Sequence, residues 1–159
     1  MSTNETQTDL HYQRPGWFTK HVLNKAVSLM TRAGIGVWGA RTLEVTGRKS
    51  GQLRRNPVNL LTIDGRNYLV APRGEAEWVR NVRAADGKLT LIIGRRRQTW
   101  NATELTDAAK PQILRQYLRR WKAEVGMFFA GVGPDSTDEQ LAAIAPRHPV
   151  FELRPQDVN

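Results

Sequence analysis

Apolar positions in this chain follow a helical period first and that of strands next. Between Phe18 and Arg32, the residues Phe18, Val22, Leu23, Ala26, Val27, Leu29 and Met30 fall on one half of a helical wheel, with Lys20, His21, Asn24, Lys25, Ser28, Thr31 and Arg32 on the other. The spacing predicts an amphipathic helix, entered at Pro15 and stopped at Gly34. Its apolar half can pack on the sheet of its own domain, the reading adopted here, or lie on a membrane surface. From there the period is that of strands. Thr42 to Val45 and Leu53 to Ile63 flank a basic turn, Asp64-Gly65 is a hairpin signal, and Asn67 to Ala71 answers as the next strand until Pro72 ends it. Arg73-Gly74-Glu75 makes a second basic corner. A short helix is predicted over Glu77 to Ala84, with Trp78, Val82 and Ala85 in line, before Asp86-Gly87 turns the chain back.

Leu89 to Ile93 and Arg96 to Leu105 form a second predicted hairpin about Gly94-Arg95. Asp107 to Trp121 has helical spacing, with Ile113, Leu114, Tyr117, Leu118 and Trp121 on its apolar side, and Lys122 to Gly131 extends or follows it. Ser136 and Glu139 are read as a capping box for a helix reaching Ala145, and Phe151 and Leu153 as a last strand. Antiparallel hairpins that must leave no open edge predict an α+β, or mainly β, fold: a small antiparallel β-barrel, closed or half-open, with flanking helices. Residues 1–14 are read as a flexible tail and 15–159 as a single domain that includes the amphipathic helix. The 159 residues suffice for one core without staples.

Composition narrows the function classes. With 24 Lys plus Arg against 15 Asp plus Glu, the net charge is +9, which favours anionic partners: phosphorylated cofactors, nucleic acid or acidic headgroups. There is no cysteine, hence no disulfide, thiolate metal site or thiol nucleophile. No apolar run is long enough to span a membrane, and the polar start of the chain lacks a signal-peptide core. The expected place is the cytoplasm, with peripheral contact at the inner face of the cell membrane left open through the N-terminal helix.

The densest chemistry lies at Thr46 to Pro57, T-G-R-K-S-G-Q-L-R-R-N-P. Gly47 and Gly51 bracket Arg48, Lys49 and Ser50, all hydrogen-bond donors, and Arg54 and Arg55 follow. Glycines there allow positive φ and a close approach of backbone N–H groups to an anion. A phosphate is the natural guest of such a turn. An ordinary solvated hairpin loop has the same composition, and the turn alone does not separate the two readings. It lacks Walker spacing. Elsewhere, His11, His21 and His148 lie far apart without metal-ligand spacing, G-x-S-x-G is absent, and Glu75 with Glu77 reads as a solvated acidic pair. No catalytic acid, base or nucleophile is recognisable and no metal is expected. That pattern suits an enzyme whose cofactor carries the hard step.

The runs T-G-R-K-S-G-Q-L-R-R-N-P-V-N (Thr46 to Asn59), Y-L-V-A-P-R-G (Tyr68 to Gly74) and E-W-V-R-N-V-R-A (Glu77 to Ala84) together resemble the deazaflavin-dependent nitroreductases. These are actinobacterial split β-barrel proteins that use coenzyme F420. The resemblance covers about Leu43 to Thr103, and more loosely R-H-P-V-F-E-L (Arg147 to Leu153). It implies that Arg48, Lys49, Ser50 and Arg54 hold the coenzyme's phosphate, with Arg55, Asn56, Pro57, Val58 and Asn59 continuing the cofactor-binding motif. It places Ala71, Pro72, Arg73 and Gly74 beside the coenzyme, and Trp78 and Asn81 close to the deazaflavin ring.

Three departures accompany it. Pro72, which has no N–H, stands where many members carry a hydroxyl residue. The Gly74 to Trp78 loop is short, and Phe128 and Phe129 fall where some relatives offer tyrosines. The resemblance implies an oxidoreductase passing a hydride from reduced F420 to a small-molecule acceptor such as a quinone, an enone or a nitroaromatic. Its rivals are a nucleic-acid-binding barrel, disfavoured because the aromatics mostly precede or follow the cationic turns, and a split barrel that binds FMN or only carries the coenzyme.

Overall fold

The structure, a computed structural model, describes residues 39–157. The amphipathic helix expected between Pro15 and Gly34, and the membrane contact assigned to it, lie outside the described residues. Six antiparallel strands are present: β1 (Ala40–Thr46), β2 (Leu53–Ile63), β3 (Arg66–Val70), β4 (Lys88–Ile93), β5 (Arg96–Glu104) and β6 (Val150–Pro155). They close into a barrel in the order β1-β2-β3-β6-β5-β4, and β4 pairs with β1 to complete the ring. Closure satisfies the edge hydrogen bonds that an open meander would expose. The Asp64-Gly65 turn between β2 and β3 takes φ of 49° and 77°, the double positive φ a two-residue hairpin requires.

Side-chain alternation divides the strands between two cores. Leu43 and Val45 of β1 point inward to meet Leu69, Leu89, Leu91, Trp100, Phe151 and Leu153. The outer faces of β2, β3 and β6 carry Leu61, Tyr68, Val70 and Val150. Helices α2 (Pro111–Val125) and α3 (Asp138–Ile144) cover them with Leu114, Tyr117, Leu118, Trp121, Leu141 and Ile144. The helical pattern read from Asp107 divides in two. Asp107–Ala109 is one 3-10 turn, and α2 begins at Pro111, whose missing N–H costs nothing at a helix start. Trp121 leaves helical dihedrals (φ −127°, ψ 17°), so the last turn of α2 is kinked.

The capping box of α3 is one residue further on than expected. Thr137 and Gln140, not Ser136 and Glu139, exchange the reciprocal hydrogen bonds. Ser136 Oγ instead accepts from the Gly133 N–H, so its hydroxyl closes the preceding loop.

Strand directions decide which loops share an end. β1 and β3 run toward the basic turn, β4 and β6 run away from it, and β5 finishes beside the start of β6. One rim therefore carries the turn of residues 47–52, the corner Ala71–Gly74 and the short helix α1 (Glu77–Ala84). The other rim carries the Asp64-Gly65 and Gly94-Arg95 hairpins. Trp78, Val79 and Val82 of α1 belong to the interior core, so the helix plugs the barrel at the rim that bears the basic turn.

Candidate functional site at the basic rim

Hydrogen bonds within the basic turn define its shape. Gly47 N donates to the Gln52 carbonyl (2.7 Å), Gly51 N to the Gly47 carbonyl (2.9 Å) and Gln52 N to Ser50 Oγ (3.2 Å). Gly51 sits at φ +71°, a conformation open to glycine at little cost. A Cβ on Gly47 would come within 3.0 Å of Ser50 Oγ and 3.1 Å of the Gln52 carbonyl. Both glycines thus serve loop closure. Their own N–H groups are spent inside the loop and are not available to an anion.

Arg48 anchors the turn to the plug helix. Its backbone N–H donates to Asn81 Oδ1 (3.1 Å), and its Nη1 donates to Asn81 Oδ1 (2.8 Å) and to Glu77 Oε2 (2.7 Å). Asn81 is buried, so its carbonyl gains in fixing the turn what it loses in hydration. Lys49 makes no ion pair among the described residues. Among the described residues, the Arg54 guanidinium reaches only Ser50 Oγ, at 3.4 Å. Lys49 and Ser50 are exposed, and Arg54 shares that exposure on the neighbouring strand. The exposed donor set of the turn is two cations and a hydroxyl held in a fixed loop, which is the chemistry a phosphate requires.

The remaining predicted residues divide between rim and wall. Arg55 lies on the outer face, where its Nε donates to Glu44 Oε2 (2.9 Å); Arg97 of β5 contacts the other oxygen of the same carboxylate. Glu44 is only 4% exposed. Burial alone would raise its pKa, but the hydrogen bonds from Arg55 and Arg97 hold it below the ordinary carboxylate value. Arg55 is thus engaged in tying β2 across β1 to β5. Asn56 is half-buried on the inward face, Pro57 is exposed on the outer face, and Val58 is in the interior core. Asn59 hydrogen-bonds the buried Tyr117, whose hydroxyl is held well above its usual pKa by burial.

At the corner, Ala71 is fully buried and its N–H donates to the Pro149 carbonyl (2.9 Å). Pro72 is half-buried, the Arg73 guanidinium lies 4.6 Å over the Phe128 ring, and Gly74 takes φ +88°. Trp78 is 7% exposed, with its ring 5.9 Å from that of Phe151, so most of its surface lies within the barrel core. Asn81 faces the turn.

Sequence reasoning missed His148, which is 1% exposed, stacks on Phe129 at 4.1 Å and places Nδ1 3.2 Å from the Ala71 carbonyl. A histidine between Arg147 and Pro149 reads as a loop residue until β6 is seen to bring it against the corner. It also missed Arg83. This residue bridges Glu75 and Glu104 at 2.6 and 2.7 Å and locks α1 to the end of β5. A further spacing in the sequence, G-I-G-V-W-G from Gly34 to Gly39, matches the dinucleotide fingerprint in letters only. That fingerprint follows a strand and opens a helix, whereas Gly39 leads into β1. Gly39 packs so closely that an added Cβ would stand 2.7 Å from the Leu60 carbonyl.

The family model described as F420H(2)-dependent quinone reductase matches residues 24–132. Among solved structures, an F420-H2 dependent reductase, FDR-A, superposes with a TM-score of 0.51 at 19% identity, covering 73% of this chain and 94% of that one. A structure described as a domain-swapped dimer gives a TM-score of 0.52 at 17% identity, over 86% and 98% of the two chains. A protein of unknown function from Agrobacterium tumefaciens gives 0.54 at 14% identity, over 95% and 60%. At these identities the structures support the fold alone. No curated protein matches the chain. Among the described residues no helix is long and apolar enough to cross a membrane.

Proposed function

Because the chain belongs to the F420H(2)-dependent quinone reductase family, and is in consequence an F420-dependent oxidoreductase, we propose that the basic rim is where it holds the coenzyme and that a quinone is its acceptor. When bound in its reduced form, the deazaflavin coenzyme supplies a hydride, the two-electron chemistry for which no side chain here is equipped. The observation that carries the reading is the turn itself. Lys49, Ser50 and Arg54 present exposed donors, and Asn81 fixes the loop that carries them to the plug helix.

In this reading Lys49 and Arg54 hold the coenzyme's phosphate, with Ser50 between them. The Ala71–Gly74 corner, on the same rim, contributes the Arg73 charge. Trp78 acts from beneath the site, by anchoring the helix that carries Asn81, and the ring of the coenzyme is oriented by the rim as a whole. Enones and nitroaromatics, which accept a hydride at an electron-poor carbon or nitrogen, are secondary acceptors of the same class. Among the described residues a nucleic-acid platform finds no exposed tryptophan, since Trp78, Trp100 and Trp121 are all buried.

The test is titration of the protein with F420, FMN and single-stranded nucleic acid at matched salt, followed by quinone reduction with reduced F420. Saturable binding of F420, weakened by salt, and turnover of the quinone are expected. Binding of FMN without binding of F420 would overturn the assignment.

A further inference from the structure

The turn's cations differ in what already neutralises them. Arg55 and Arg97 share Glu44, whose side chain is only 4% exposed. Arg48 shares Glu77, whose side chain is 68% exposed. Glu77 is the first residue of α1, on the rim, and its carboxylate contacts Arg48 Nη1 at 2.7 Å. Lys49 and Arg80 bear on the same carboxylate electrostatically. An exposed carboxylate among three cations occupies the kind of position that a ligand's phosphate would take.

We propose that Glu77 is the resident counter-anion of this site: its carboxylate neutralises Arg48 while the rim is empty, and gives way to, or repels, the phosphate of an incoming ligand. The proposal rests on the reading of the rim as the coenzyme site and adds a residue that sets its affinity. Exposure decides the direction. A carboxylate open to solvent is rehydrated at little cost when it leaves Arg48, whereas a phosphate held by Lys49, Ser50 and Arg54, and now reached by Arg48 as well, gains charge-assisted hydrogen bonds in return. Asn81 keeps Arg48 in place throughout, because its two bonds to Arg48 do not depend on Glu77. Glu77 thereby lowers the affinity for every anion and leaves selectivity to the rest of the rim. Hydrogen bonding from Arg48 lowers the Glu77 pKa below the ordinary carboxylate value, so the counter-anion stays charged at neutral pH.

Glu77→Gln, which keeps the size of the side chain and removes its charge, tests this by calorimetric titration with F420 and, separately, with inorganic pyrophosphate. Both ligands are expected to bind about two- to fivefold tighter than to the parent chain, the range an exposed ion pair allows. Affinity should fall more steeply with salt, since one more cation is free to be neutralised. Unchanged affinity for both ligands would reduce Glu77 to a solvated ion pair, and weaker binding would make it a support for Arg48; either overturns the proposal. A thermal melt of both proteins at each salt concentration confirms that folded chains are compared. If pyrophosphate binds tighter to Glu77→Gln while neither protein binds F420, the counter-anion stands and the coenzyme assignment falls.

Discussion

Removing the Asn81 side chain isolates the link between the plug helix and the basic turn. Asn81→Ala deletes the acceptor for Arg48 N at 3.1 Å and for Arg48 Nη1 at 2.8 Å. A neutral hydrogen bond contributes about 0.5–1.5 kcal/mol and one to a charged group about 1.5–3 kcal/mol. The charged bond falls at the low end of its range, because the Arg48 side chain is 21% exposed and retains Glu77. The sum is about 2 kcal/mol of fold stability, or about 4–8 °C in melting temperature for a chain of this size. Coenzyme binding should weaken about fivefold, since the turn must then be ordered at the moment of binding. The assays are urea denaturation and titration with F420 on the same preparation. A denaturation midpoint and a dissociation constant both equal to the parent's would refute the link. A stability loss with unchanged binding would refute the coupling alone, leaving the turn held by its internal Gly47–Gln52 and Gly51–Gly47 bonds.

Lys49→Ala and Arg54→Ala should each weaken F420 binding by about 1–3 kcal/mol while leaving the melting temperature near the parent value, as both groups are exposed in the free protein. Trp78→Ala should cost about 3–5 kcal/mol of stability, measured by denaturation, because it empties a site in the barrel core beside Phe151; normal stability with lost turnover would move Trp78 from the core into the site. Glu44 titrates below its ordinary value in the folded protein, so the stability it contributes is complete above an unfolded pKa of about 4.3 and is lost as pH falls through the folded value. Denaturation from pH 3 to pH 7 should show the gap between the parent and Glu44→Gln narrowing at the acid end, and a constant gap would count against the Arg55–Glu44–Arg97 bridge.

The strands were legible because their alternation is undisturbed: Leu43 and Val45, Leu89 and Leu91, Phe151 and Leu153 each sit two apart on the inward face. The three motifs at Thr46–Asn59, Tyr68–Gly74 and Glu77–Ala84 gave the rim, and strand direction brings them to one end. What could not be read was the pairing of charges. Arg48 and Arg55 look alike in a linear motif, yet one turns to α1 and the other to a glutamate on β1 that precedes it by eleven positions. Arg48 lies in the turn and Arg55 on the outer face of β2, and the facing acids come from other elements. The same holds for His148 and Arg83, whose partners lie on β3's exit and on β5. Trp78 has a place in the barrel core that the motif alone does not show: it is 7% exposed, with its ring 5.9 Å from that of Phe151.

The place of β6 in the ring governs how the chain can reach this fold. Asn67 pairs with Leu153 and Thr103 with Glu152, so the strand nearest the end of the sequence is the wedge between two earlier ones. Until that strand leaves the ribosome, β3 and β5 each present an unpaired edge, and the ring stays open between them. Closing the β3–β6 ladder spans most of the described chain, a large loop whose entropy must be met before the contacts that repay it form. The ring should therefore close only once β6 is available, in one late and slow step, and chains ended before Val150 should aggregate through those two edges and not persist as a smaller barrel.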